Sequence, residues 1–122
     1  MRIAVIAHDN KKADLVAFIL KRLDFFKKHE IIATGTTGKH IEHAGIEVTK
    51  KLSGPKGGDA QIAAELVEGR IDGVLFFIDP LTSHPHEVDV QMLLRLCNVW
   101  NIPIATNYST AKLLVEAIIK EK

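Results

Sequence analysis

Hydrophobic residues fall along this chain in short blocks whose spacing alternates between two patterns. Met1 to His8 is an apolar run carrying Ile3, Val5 and Ile6, rich in β-branched residues, and predicts a strand buried on both faces. From Ala13 to Phe26, Leu15, Ile19, Leu23 and Phe26 recur at helical spacing with Val16 and Leu20 alongside, which predicts one helix. Glu30 to Ala33 reads as a second strand. Gly35 and Gly38 interrupt the pattern, a short helix around His40 to Ala44 follows, and Gly45 sits where its C-cap would be. Glu47 to Thr49 reads as a third strand.

The second half repeats the alternation. Leu52 to Gly58 is a turn-rich loop. Ile62, Ala63, Leu66 and Val67 mark a helix stopped by Gly69. Gly73 to Ile78 is the most apolar run and predicts the central strand, and Asp79 to His86 is a loop containing Pro80 and Pro85. Val90, Leu93, Leu94 and Cys97 define the next helix, Ile102 to Ala105 the last strand, and Ala111, Leu114, Val115 and Ile118 the closing helix. Strands alternating with helices imply parallel pairing through right-handed crossovers. The expected fold is α/β: a single-domain three-layer sandwich spanning residues 1–122, a doubly wound, mainly parallel sheet of about five strands in a Rossmann-like arrangement.

Composition narrows the function. Hydrophobic residues make up 47% and charged residues 25% of the 122, as in ordinary globular domains. With 16 Lys+Arg against 15 Asp+Glu, the net charge of +1 gives no reason to expect nucleic acid or an anionic membrane as partner. No apolar run approaches the ~20 residues that span a bilayer, and the N-terminus opens directly on a strand pattern, so no signal peptide is expected. One cysteine, Cys97, excludes an intrachain disulfide and a Cys-rich zinc site, and fits a reducing, cytoplasmic setting. No Gly-x-Gly-x-x-Gly follows the first strand, against a dinucleotide cofactor. Asp9 lacks the adjacent acidic partner that a receiver-type signalling domain uses to hold magnesium.

The chemistry-bearing residues are not scattered. In doubly wound sheets the ligand lies outside the carboxyl ends of the strands, and the segments following the first four strands are HDNKK, TGTTG, SGPKGGD and DPLTSHPHEVD. Thr36, Thr37 and Gly38 begin one helix, and Gly57 and Gly58 another. Helix N-termini offer free N–H groups and partial positive charge to an anion. Lys12 adds a point charge.

Those four segments, in that order, resemble the methylglyoxal synthase family over the whole chain: His8 to Lys12, Thr34 to Gly38, Ser53 to Asp59, and Asp79-Pro80-Leu81 through His86 to Asp89. The resemblance implies a carbon–oxygen lyase that converts dihydroxyacetone phosphate to methylglyoxal and inorganic phosphate, without metal or organic cofactor, in a cytoplasmic homohexamer that phosphate inhibits. It implies Asp59 as catalytic base, His86 and Asp89 beside it, and Asp9 and His8 across the pocket. Lys12, Thr34, Thr36, Thr37, Ser53 and Gly54 would hold the substrate phosphate. The fold is shared by the ligand-sensing domain of carbamoyl phosphate synthetase, but such a domain needs neither Asp59 nor the His86–Asp89 pair. Two departures stand out. Longer members carry a C-terminal arginine that reaches phosphate in a neighbouring subunit, whereas the last arginine here is Arg95. Lys56 places a charge where the family often has an apolar residue.

Several of these residues have plainer local readings. Asp59 directly precedes a predicted helix and reads as an N-cap, and Asp9 and Asn10 invite the same reading. TGTTG reads as a turn with a cap. His29, His40, His43 and His84 read as ordinary polar residues, although His40 and His43 are three apart on a helix. Cys97 reads as core, and Phe26 and Trp100 as core or subunit contacts.

Overall fold

The structure, a computed structural model, describes residues 1–53, 56–81 and 90–121. Five strands form one parallel sheet: β1 (Arg2–Ala7), β2 (Glu30–Thr34), β3 (Val48–Lys51), β4 (Gly73–Phe77) and β5 (Ile104–Ala105), in the order β3-β2-β1-β4-β5. Six helices connect and flank them: α1 (Lys12–Leu20), α2 (Leu23–Lys27), α3 (Gly35–His43), α4 (Gly58–Val67), α5 (Val90–Val99) and α6 (Tyr108–Lys120). A single 3₁₀ turn, Asp9–Lys11, joins β1 to α1.

The sheet is buried on both faces because each strand sends alternate side chains to opposite sides. Ile3, Val5 and Ala7 of β1, Ile31 and Ala33 of β2, and Leu75 and Phe77 of β4 join Leu15, Phe18, Phe26, Ile41 and Val115 in one core beneath α1, α2, α3 and α6. Ala4, Ile6, Ile32, Val74 and Phe76 face the other way, against Ile62 and Leu66 of α4 and Leu93 and Cys97 of α5. Parallel register runs unbroken from Ile3 opposite Gly73 to Ala7 opposite Phe77, and from Arg2 opposite Glu30 to Val5 opposite Ala33. The doubly wound five-stranded sheet expected from the sequence is thus the architecture of the chain.

Several local expectations are corrected. The strand expected at the centre of the sheet, β4, lies fourth of five, and β1 holds the middle. The single helix expected over Ala13–Phe26 is two, broken at Arg22, whose backbone leaves the helical region at φ −134, ψ 38. The helix start read at Thr36 to Gly38 and the short helix read around His40 to Ala44 are one helix, α3, which begins at Gly35 directly off β2. Of the two aromatic residues read as core or subunit contacts, Phe26 is fully buried in the core, and Trp100 is half exposed, which leaves it the second reading. The glycines at 45 and 69 follow their helices with positive φ, as the C-cap reading required.

Candidate active site

Strand order reverses at β1, whose neighbours are β2 on one side and β4 on the other. Such a switch point opens a crevice at the carboxyl ends of the two central strands. His8 follows β1 immediately, and Asp79 lies two residues beyond β4.

His8 is buried, with its ring edge-on to Phe76 at 5.2 Å between centroids. Its backbone N–H donates to the Phe77 carbonyl at 3.1 Å, extending the β1–β4 ladder by one bond. Its Nδ1 accepts the backbone N–H of Asp79 at 2.9 Å. Because a backbone amide can only donate, the contacting ring nitrogen carries no proton, and the neutral imidazole holds its proton on Nε2. Asp79 is likewise buried. One carboxylate oxygen accepts from the Leu81 N–H and the other from the Asn10 side-chain amide, both at 3.0 Å.

The 3₁₀ turn after His8 closes through the Lys11 N–H on the His8 carbonyl at 2.8 Å. It sets Asp9 at the surface and Lys12 at the first position of α1, and the Lys12 ammonium lies 2.9 Å from Asp9 Oδ1. A positive charge is thereby held at the carboxyl end of β1.

The start of α3 forms the second wall. Thr34, the last residue of β2 and the N-cap of α3, is buried, and its side chain makes no capping bond. Gly35 turns the chain at φ +44, which glycine adopts without strain. Thr36 is exposed, whereas Thr37 is 1% exposed and its Oγ1 has no hydrogen-bond partner among the described residues. A buried hydroxyl normally finds one, because leaving it unmade costs about 1–3 kcal/mol.

The third wall is the passage from β3 to α4. The Ser53 carbonyl accepts from the Lys56 and Gly58 amides at 3.0 and 2.9 Å. A Cβ at Gly35 would come within 3.2 Å of Ser53, and one at Gly58 within 1.8 Å of the Leu52 carbonyl oxygen. The starts of α3 and α4 are therefore both pinned to residues 52 and 53. Asp59 is not the N-cap that local sequence suggests. Gly57 caps α4, with φ +101, and Asp59 stands in the first turn, partly exposed, its Oδ1 accepting from the Ala60 N–H at 2.9 Å. The positive end of the helix favours a carboxylate there.

Of the residues expected at the site, His8, Asp9, Lys12, Thr34, Thr36, Thr37, Ser53 and Asp59 all follow carboxyl ends of strands β1 to β3. Gly54, His86 and Asp89 lie outside the described residues. Asp79 and Asn10 were not singled out by role, although an acidic residue just past the most apolar strand was a usable signal. A cavity of about 370 Å³ lies elsewhere, at the amino ends of β2 and β3 between His29, Glu30 and Glu47, and holds none of these residues. Among the described residues no three His, Cys, Asp or Glu side chains are grouped to hold a metal ion.

The chain matches the family model described as an MGS-like domain over residues 10–106. It is 55% identical to methylglyoxal synthase of Carboxydothermus hydrogenoformans, with 97% of this chain and 98% of that one covered. It is 53% identical to methylglyoxal synthase of Clostridium beijerinckii, with 95% and 98% covered. The crystal structure of methylglyoxal synthase from Elizabethkingia anophelis NUHP1 superposes with a TM-score of 0.90 at 47% identity, covering 93% of this chain and 76% of that one.

Proposed function

The chain belongs to the methylglyoxal synthase family, and from that premise we propose how its own residues divide the work of converting dihydroxyacetone phosphate to methylglyoxal and inorganic phosphate. The enzyme is a lyase. The reaction removes a proton alpha to a ketone, passes through an enediolate, and expels phosphate.

The observation that carries the assignment of parts is the buried Thr37 hydroxyl, which has no hydrogen-bond partner among the described residues, at a helix start without a side-chain cap. Thr37, with Thr34, Thr36, Ser53, Gly54 and the Lys12 ammonium, binds the phosphoryl oxygens. Asp59 is the base, because a carboxylate set in a first helical turn beside the phosphate loop is accessible and fixed. His8 donates from Nε2 to the enediolate oxygen as charge develops there. A neutral histidine paired with a carboxylate base serves the same purpose in triosephosphate isomerase, a standard example of such tuning. Asp9 sets Lys12, and His86 and Asp89 complete the pocket. Phosphate leaves only when its C–O bond stands perpendicular to the enediolate plane, so several contacts to the phosphoryl group are needed to hold that angle.

The same pocket accounts for inhibition by inorganic phosphate, which competes for those contacts. Residues 1–122 act as one domain and assemble into a homohexamer, supported by the exposed apolar side chains Val99, Leu113 and Ile119. Light scattering on the purified protein counts the subunits. A cytoplasmic location accords with the absence, among the described residues, of a helix long and apolar enough to cross a membrane.

Asp59→Asn tests the central assignment. It preserves shape, so the variant should melt near the parent. Turnover, followed as methylglyoxal and phosphate released in equal amounts, should fall at least ~10²–10⁴-fold, the usual scale for a general base. A folded variant with parental turnover would move the base elsewhere.

A further inference from the structure

We infer that Asn10 is a positioning residue that sets the hydrogen-bonding state of the His8 ring through Asp79. The three residues close a ring of contacts across the switch point. Asn10 Nδ2 donates to Asp79 Oδ2 at 3.0 Å. The same carboxylate accepts the Leu81 N–H on Oδ1, which folds the chain after β4 back over the aspartate. That turn aims the Asp79 backbone N–H at His8 Nδ1. Asn10 itself is fixed two residues beyond His8 by the Lys11 N–H on the His8 carbonyl.

The direction of each bond follows from its partner. A carboxylate accepts, so the Asn10 amide must present its nitrogen, and only asparagine or another donor of that reach fits. The Asn10 amide is one of the donors that hold the buried carboxylate in its orientation, and without it the aspartate rotates. Rotation tilts the amide away from His8. Nδ1 then competes for the ring proton, and the fraction of His8 that presents Nε2–H to substrate falls. Asn10 touches no substrate in this scheme, and its effect appears in the chemical step rather than in binding.

The inference rests on the proposed role of His8 as donor, and its test separates the two. In protein labelled with ¹⁵N-histidine, without substrate, His8 of the parent should show an unprotonated Nδ1 and a protonated Nε2. Asn10→Ala should shift both resonances toward a mixture of tautomers and lower kcat about tenfold with KM within about twofold, on the scale set by small misplacements of a catalytic group. Asn10→Asp, which sets two carboxylates face to face, should shift them further. Parental His8 resonances in Asn10→Ala would overturn the inference, whatever the activity, as would a raised KM with unchanged kcat or loss of the fold. Shifted resonances with parental kcat would leave Asn10 in place as the determinant of the tautomer and remove His8 from the chemistry.

Discussion

Thr37 is the residue at which stability and function separate most cleanly. Its hydroxyl is buried and has no hydrogen-bond partner among the described residues, so its desolvation is a cost to the free protein. Thr37→Val replaces it with a methyl of the same shape. The variant is expected to melt at or slightly above the parent, while phosphate binding measured by calorimetry weakens by about 1 kcal/mol, roughly fivefold, for one lost hydrogen bond. A lower melting temperature with unchanged phosphate affinity would make the hydroxyl structural. Single residues also show what a sequence conveys. Thr37, Lys12 and His8 were legible because each follows a strand end by a fixed, short offset. The Asn10–Asp79 and His8–Asp79 bonds were not, because they join positions 69 and 71 residues apart. Asp59 was misplaced by two positions, because the left-handed backbone of Gly57 lets the helix begin before it.

At the level of elements, hydrophobic spacing found the five strands and most of the helices, but it missed where helices begin and break. Leu15, Ile19, Leu23 and Phe26 continue one helical pattern across Arg22, and no Gly or Pro marks the break there. The side chain makes the break tolerable. Arg22 Nη1 caps the Phe18 carbonyl at 3.1 Å while its guanidinium lies 3.9 Å from the centre of the Phe18 ring. The start of α3 was legible from Thr36, Thr37 and Gly38 and not from hydrophobic spacing, because its first turn is polar and faces the site. The joint between β3 and α4 yields a prediction. A Cβ on Gly58 would sit 1.8 Å from the Leu52 carbonyl oxygen, which is backbone and must shift. Gly58→Ala should therefore destabilise by about 1–3 kcal/mol in urea titrations and weaken phosphate binding at the same time. Gly45→Ala has φ +89 but open space around it, so it should cost only the backbone strain, about 1–2 kcal/mol, and leave phosphate affinity untouched. Equal losses of phosphate affinity in the two variants would refute the link between this joint and the site.

Across the whole molecule, the alternation of strands and helices announced a parallel sheet covered on both faces, but not its strand order. The most apolar strand, β4, is not the middle one, so apolarity does not say that β1 and β4 are neighbours. A buried ion cluster bridges parts of that arrangement. Glu65 of α4 is buried and meets three cations: Arg2 of β1 at 2.9 Å, Arg70 at 3.4 Å, and Lys51 of β3 at 3.1 Å from its other oxygen, an ion pair rather than a directed hydrogen bond. It thus ties the first strand, an edge strand and a helix of the opposite layer together. Burial alone would raise the Glu65 carboxyl above the ordinary range, but the hydrogen bond from Arg2 and the charges of Arg2 and Lys51 outweigh it and hold the group below its usual value. A carboxyl depressed in the folded state stabilises the fold above its unfolded value, about 4.3, and that contribution is lost as pH falls through the folded value. Glu65→Gln should therefore cost about 1–3 kcal/mol at pH 7, the range for a hydrogen bond to a charged group. The difference in melting temperature between parent and variant should stay constant from pH 7 down to about 5 and shrink steadily below about 4. Melting curves of both proteins across that range decide the matter: a gap that persists undiminished at pH 3 would mean that Glu65 acts through packing and shape, and that the ion cluster does not hold the layers together.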